Sequence, residues 1–336
     1  MTSAAPSTPG FAHAVTWARR QVETGILPTA VVGIATSAGI TALEAFGSSG
    51  SRPAASDDHY PIFSITKPIV GLTALRAVER GLLSLTAPLT QAIPEFSVTR
   101  TDRVELRHLL THTSGVSEPP LDTPRGLRRS LVDSEVDFTA GTMSRYSSIA
   151  FEGVQALLEQ ATGSSLQSAL EALRRDAGMP GLTFESDCDA HPVFDAESQG
   201  LDYSAFQKLK HPGAGLYARA EDLLALGSSL LRDDGSAVHP TTVAGMLRPR
   251  TAGLPKLRPF PEELGQDWGL GWNLRHSAPG LLYGNVFGHS GWAGTEFWIY
   301  PDLDVCFVLL TNIASPSRLG LDVDQLHNAV TAGVTG

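Results

Sequence analysis

The strongest constraint on this chain is where its strand-like and helix-like stretches fall. TAVVGIATS and ITALEAFG are apolar runs of strand length broken at Gly39, the pattern of a hairpin buried mostly on one side. From Leu281 onward, LLYGNVFGHSG, TEFWIYP and DVCFVLLTN form a second strand-like group, separated by glycine, proline and aspartate. Between the two groups, IVGLTALRAVERGLL, FEGVQALLEQATG, SLQSALEALRRDAG and GLYARAEDLLALGSSLLRDDG place apolar residues at helical spacing. The last of these opens with Ala220, Glu221 and Asp222, whose carboxylates suit a helix N-terminus. Helices are also predicted at both ends. One starts at Thr8 and Pro9, buries Phe11, Val15, Ala18 and Val22 on one face and stops at Gly25; the other spans Asp322 to Val334.

Strands early and late with helices between them predict an α+β fold: one antiparallel sheet built from both chain ends, flanked by helices, with an inserted all-α domain. The boundaries expected are 1–75 and 214–336 for a discontinuous α/β domain and 76–213 for the mainly helical one. A chain of 336 residues is long enough for such a division, and ligand clefts favour the seam.

Charge and cysteine content narrow the function. A formal net charge of −10 argues against a nucleic-acid partner, which needs a basic field. The 2 cysteines, Cys188 and Cys306, lie far apart and imply neither a disulfide framework nor a Cys-rich zinc site. No segment approaches the roughly 18 apolar residues of a spanning helix, and no basic start precedes an apolar stretch, so no membrane partner and a cytoplasmic location are expected.

FSITKPIVG holds the first candidate chemistry. A serine hydroxyl is a weak nucleophile that needs a base in reach, and on a helix Lys67 shares a face with Ser64. A helix start also offers N–H groups to an oxyanion forming beside Ser64. The same serine would equally serve as an ordinary N-cap. Pro68 raises a difficulty, because it cannot donate to the Ser64 carbonyl.

RYSS places Tyr146 ahead of a helix-like run, where a neighbouring lysine could stabilise its phenolate; a tyrosine that merely packs its ring is the alternative. In FGHSGWAGTEFWIYP, His289, Ser290 and Gly291 end one strand or begin the next. Gly291 would let an acyl group approach, and the Trp292 N–H could join that of Ser64 as an oxyanion donor. His289 reads equally well as a polar residue at a strand end. His108 and His112 lack the glutamate of a zinc helix, and no G-x-S-x-G, Walker A or G-x-G-x-x-G motif occurs, so no metal or cofactor is expected.

In this order FSITK, LRHLLTHTSGV, RYSS, HPGAGLYARAEDLLALG and GHSGWAGTEFWIYPDLDVCFVLLTN resemble the class C β-lactamase and D,D-peptidase superfamily of serine hydrolases, most closely its family VIII carboxylesterases. The resemblance runs from about residue 11 to the C-terminus. It implies a β-lactamase-like sheet carrying an all-α domain, with the site at their junction. It also implies that Ser64 is acylated, that Lys67 and Tyr146 share the proton transfers, and that the Ser64 and Trp292 N–H groups form the oxyanion hole.

Two departures bear on substrate. Where lactamases have Y-x-N, this chain has Tyr146, Ser147 and Ser148, and the amide that would hold a β-lactam is missing. Where they have K-T-G, it has His289, Ser290 and Gly291, and the carboxylate-attracting lysine is absent. Ser148, His289, Ser290, Gly291 and Trp292 are the candidate substrate-binding residues.

The expected activity is therefore cleavage of small-molecule carboxylic esters through an acyl-enzyme on Ser64. The rivals are a β-lactamase, a D-amino-acid peptidase or amidase, an acyltransferase, and a non-catalytic binding protein of the same fold. Trp268, Trp272 and Trp292 are candidate apolar pocket walls, the first two fitting ordinary core packing equally well.

Overall fold

A computed structural model describes residues 9–98, 100–278 and 284–334. Thr8, at the first helix start, and Leu281 to Tyr283, at the start of the late strand group, lie outside the described residues. The helices are α1 (Ala12–Glu23), α2 (Thr66–Glu79), α3 (Leu106–Leu110), α4 (Leu127–Val132), α5 (Ala150–Thr162), α6 (Leu166–Ala177), α7 (Tyr203–Lys208), α8 (Ala220–Arg232), α9 (Pro240–Met246) and α10 (Val323–Val334). The strands are β1 (Thr29–Thr36), β2 (Gly39–Ser49), β3 (Arg52–Pro53), β4 (Tyr60–Pro61), β5 (Tyr217–Ala218), β6 (Asp267–Trp268), β7 (Asn273–Leu274), β8 (Phe287–Ser290), β9 (Glu296–Tyr300) and β10 (Val305–Leu310).

An 8-stranded antiparallel sheet runs in the order β3-β2-β1-β10-β9-β8-β7-β6. The two chain ends join at β1 and β10, where Val31 faces Leu310 and Ala35 faces Cys306. β1 is buried on both faces, not mostly on one as its sequence suggested. Val31 and Ala35 belong to one apolar core, while Ala30, Val32 and Ile34 belong to a second on the opposite side. The cause is that helices cover both faces of the sheet: α1 and α10 on one, α8 on the other. Close approach of α8 depends on small residues. A Cβ at Gly33 would come within 2.6 Å of Leu224, and one at Gly227 within 2.4 Å of the Cys306 sulfur.

Between Glu79 and Tyr217 the described residues form helices, 3-10 turns and isolated bridges. α2 joins this block to the sheet. It is buried from Thr66 to Leu75, which fits its weak amphipathicity: a helix enclosed on all sides needs no polar face. It packs against α5 and α6, and one apolar core continues from β1 through α2 into both. The small β4–β5 pair, Tyr60 opposite Ala218 and Pro61 opposite Tyr217, leads directly into α2. No helix among the described residues is long and apolar enough to cross a membrane.

Candidate active site

Ser64 lies in a 3-10 turn, Phe63–Ile65, immediately before α2. Phe63 has φ 42, a left-handed conformation that costs a side chain such as phenylalanine about 1–3 kcal/mol. Packing offsets it: the Phe63 ring is buried, stacked on Phe206 at 5.3 Å and tilted against Trp292 at 5.2 Å. The turn leaves Ser64 partly exposed between buried neighbours. It also removes the Pro68 difficulty. The Thr66 N–H points to the carbonyls of Phe63 and Ser64, and Pro68, third in α2, loses only an N–H that the first turn would not use.

Lys67 is fully buried, and its amine donates to Ser64 Oγ at 3.0 Å, Ser148 Oγ at 3.0 Å and the Gly213 carbonyl at 2.8 Å. Burial pushes this amine down to about 7, and the Glu118 carboxylate opposes the shift. The Gly213 carbonyl is held by a tight turn. The Gly213 N–H donates to His211 Nδ1 at 2.9 Å, and a Cβ on Gly213 would strike the Ser148 carbonyl oxygen at 2.5 Å. The turn is fixed to the Ser64 segment through Ile62 N–H to the Leu216 carbonyl (3.0 Å) and Leu216 N–H to Thr66 Oγ1 (3.1 Å).

Tyr146 sits in the segment before α5, its ring centre 4.4 Å from the Lys67 amine. His112, Phe260, Trp268 and His289 enclose the ring at centroid distances of 4.5, 5.0, 5.5 and 5.9 Å. Burial pushes the phenol well above its ordinary value, against the pull of the Ser64 and Ser148 hydroxyls. The resting group is a neutral phenol, not a phenolate. The two histidines are neutral as well. His112 Nδ1 accepts the Ser147 N–H at 3.1 Å, so its proton is on Nε2. His289 Nδ1 meets the Ser290 carbonyl at 2.7 Å and must donate, leaving Nε2 as the acceptor. Burial, then the Lys67 charge, pushes His289 down to about 3. It therefore offers no fixed cation to a substrate carboxylate.

The turn from β8 to β9 docks on the Ser64 segment. Thr295 Oγ1 donates to the Ile62 carbonyl at 3.3 Å, and Gly291 lies so close that a Cβ would meet Thr295 Oγ1 at 2.0 Å and the Ile62 oxygen at 2.5 Å. That contact carries Trp292 against Phe63 and sets its backbone beside the Ser64 turn. Ser290, by strand alternation, faces away from the His289 side and lines a cavity of about 280 Å³ with Arg275, Glu296 and Asp324. Ser148 is buried and engaged by Lys67. Trp268 backs the Tyr146 ring, whereas Trp272 packs on Phe287 and Phe297 as core, so of the three tryptophans only Trp292 belongs to the exposed edge of the site.

Sequence reasoning missed Glu118, Gly213 and Phe63. Glu118 Oε2 accepts the N–H groups of Ser148 at 2.6 Å and Ile149 at 3.2 Å. It also missed a second serine, histidine and carboxylate chain. Ser49 Oγ lies 2.9 Å from His191 Nδ1, and His191 Nε2 lies 2.8 Å from Asp58. This chain is a clamp. Ser49 accepts Asn312 Nδ2 at 2.9 Å, Arg52 pairs with Asp58 at 2.7 Å, and Ser49 sits in a strand ladder opposite Arg52, without a helix start beside it. His108 and His112 serve separate backbone donors, Glu105 N–H and Ser147 N–H. Among the described residues no group of His, Cys, Asp and Glu is placed to hold a metal ion.

The family model described as Beta-lactamase matches residues 15–331. Esterase EstB from Burkholderia gladioli is 29% identical over 346 aligned positions, covering 84% of each chain. Acyltransferase calJ from Penicillium decumbens is 26% identical over 60% of this chain and 59% of its own. Among solved structures, EstCE1, described as a hydrolase with promiscuous acyltransferase activity, superposes with a TM-score of 0.79 at 21% identity, covering 96% of this chain and 98% of that one. At that identity the structural likeness concerns the fold.

Proposed function

This chain belongs to the beta-lactamase family, and from that premise we propose that it is a serine hydrolase cleaving carboxylic esters through an acyl-enzyme on Ser64. The observation that carries the proposal is the Lys67 amine, 3.0 Å from Ser64 Oγ, fully buried and pushed down to about 7. An amine so placed is neutral in a useful fraction at neutral pH and can accept the serine proton.

Ser64 Oγ bonds to the ester carbonyl carbon while its proton passes to the Lys67 amine. The negative charge on the carbonyl oxygen is held by the N–H groups of Ser64 and Trp292. When the tetrahedral species collapses, the carbon–oxygen bond to the alcohol breaks and the departing oxygen takes a proton from the Lys67 and Tyr146 pair. Tyr146, a neutral phenol, acts as a donor in this step, its own proton replaced from the lysine. Water then attacks the acyl carbon, giving its proton to the same pair, and Ser64 leaves with a proton restored.

Two features support esters over anionic β-lactams or D-amino-acid peptides. His289, in the place of the lactamase lysine, is buried and neutral, and Ser148 carries no amide. Resemblance to Esterase EstB supports the same reading. Acyl transfer to an alcohol is the second reading, favoured by the relatives named as acyltransferases. Turnover of a p-nitrophenyl ester series by the wild-type chain and by Ser64→Ala, with nitrocefin in parallel and a competing alcohol added, tests both. Full turnover by Ser64→Ala contradicts the proposal.

A further inference from the structure

We propose that Glu118 is a positioning residue for Lys67: its carboxylate grips the backbone N–H groups of Ser148 and Ile149, aims the Ser148 hydroxyl at the amine, and presents it with a negative charge. This rests on the reading of Lys67 as the base for Ser64. The chain of contacts is continuous. Glu118 Oε2 accepts from the Ser148 N–H at 2.6 Å and the Ile149 N–H at 3.2 Å, and Ser148 Oγ accepts a hydrogen bond at 3.0 Å from the Lys67 amine, which also donates to Ser64 Oγ at 3.0 Å.

Chemistry explains why a carboxylate suits this place. Ile149 is the cap residue of α5, and N–H groups at a helix start lack carbonyl partners of their own. Ile149 offers no side-chain cap, so Glu118 supplies the acceptor from another segment. The residue as a whole is exposed while Ser148 is buried, so Glu118 reaches in from the rim.

The charge matters because the other titratable groups around the amine are neutral. His112 comes from the segment after α3, Tyr146 from the segment before α5, His211 from the turn before β5, and His289 from β8. Burial holds the three imidazoles below, and the phenol above, the range in which they would be charged. Glu118 is then the charge left to oppose desolvation of the amine, and it is the one group that raises it. Removing that charge makes Lys67 easier to deprotonate. Removing the carboxylate altogether also releases Ser148.

The test is the rate at which a fluorophosphonate labels Ser64 as a function of pH, read by peptide mass spectrometry in wild type, Glu118→Gln and Glu118→Ala. Glutamine keeps an oxygen for the two N–H groups but not the charge. Its acidic midpoint is expected about half a pH unit below wild type, a modest shift because solvent screens an exposed carboxylate. Alanine frees Ser148, and its plateau rate is expected about tenfold or more below that of Glu118→Gln. Coincident midpoints in wild type and Glu118→Gln, or equal plateaus in the two variants, overturn the proposal. Absence of Ser64 labelling in wild type overturns the acyl-enzyme reading, and this proposal with it; labelling with an unmoved profile overturns this proposal alone.

Discussion

The Lys67 amine donates to the Ser64 hydroxyl oxygen at 3.0 Å from a position wholly removed from water. Burial lowers the amine to about 7, so the neutral form predominates above that pH and the cation below it. If the neutral form takes the serine proton, kcat/KM for a neutral ester rises through a midpoint near pH 7. Lys67→Arg keeps a cation that does not deprotonate, and is expected to lose about a hundredfold or more in kcat/KM, with no midpoint in that region. A pH–rate profile of both proteins checks this.

The contact between Gly291 and Ile62 gives a backbone test of the proposed oxyanion site. A methyl group at 291 would meet the Ile62 oxygen at 2.5 Å, and backbone cannot yield as a flexible side chain does. Gly291→Ala therefore pushes the β8–β9 turn, and with it the Trp292 N–H, away from the Ser64 turn. The expected effect is a loss in kcat of about tenfold to a thousandfold, with a smaller change in KM. Gly245→Ala in α9 is the control, since nothing lies within 4 Å of its added methyl. Steady-state kinetics on the two variants distinguish them.

Glu296 makes a pH-dependent contribution to stability. It is buried on β9, accepts Trp298 Nε1 at 2.6 Å, and is pushed up from 4.5 to about 8, chiefly by burial. Between those values the folded protein holds a proton that the unfolded chain has released. The stabilisation is thus complete below pH 4.5 and lost as pH rises through about 8. Glu296→Gln imitates the protonated form, so its advantage over wild type should be near zero at pH 4.5 and grow to roughly 2–4 kcal/mol above pH 8. Denaturant unfolding of both proteins at two pH values measures it.

Much of this was legible in the sequence because the signals were local. Apolar runs interrupted at Gly39 mark β1 and β2, and the i, i+3 spacing of Ser64 and Lys67 brings the amine within 3.0 Å of the hydroxyl oxygen. β1 was misjudged because helices cover both faces of its sheet; its run TAVVGIAT has apolar residues in both alternating sets, the mark of a strand with two buried faces. Other features carry no side-chain signature. The Gly213 carbonyl that accepts a hydrogen bond from the Lys67 amine lies 146 residues away in sequence and is a backbone group. The left-handed backbone of Phe63 is sustained by Phe206 and Trp292, which only the folded chain brings to it. Glu118, followed by two prolines, carries no sequence mark of its contact with the Ser148 N–H.

Ser64, and not the hydrogen-bonded Ser49, is expected to carry the acyl group. Mixing the chain with a slowly released p-nitrophenyl ester, quenching in acid and locating the acyl mass by peptide mass spectrometry tests it most directly. The added mass is expected on the peptide containing Ser64, to be lost in Ser64→Ala and to persist in Ser49→Ala. Ester turnover with no adduct on Ser64, or an adduct that follows Ser49, would contradict it.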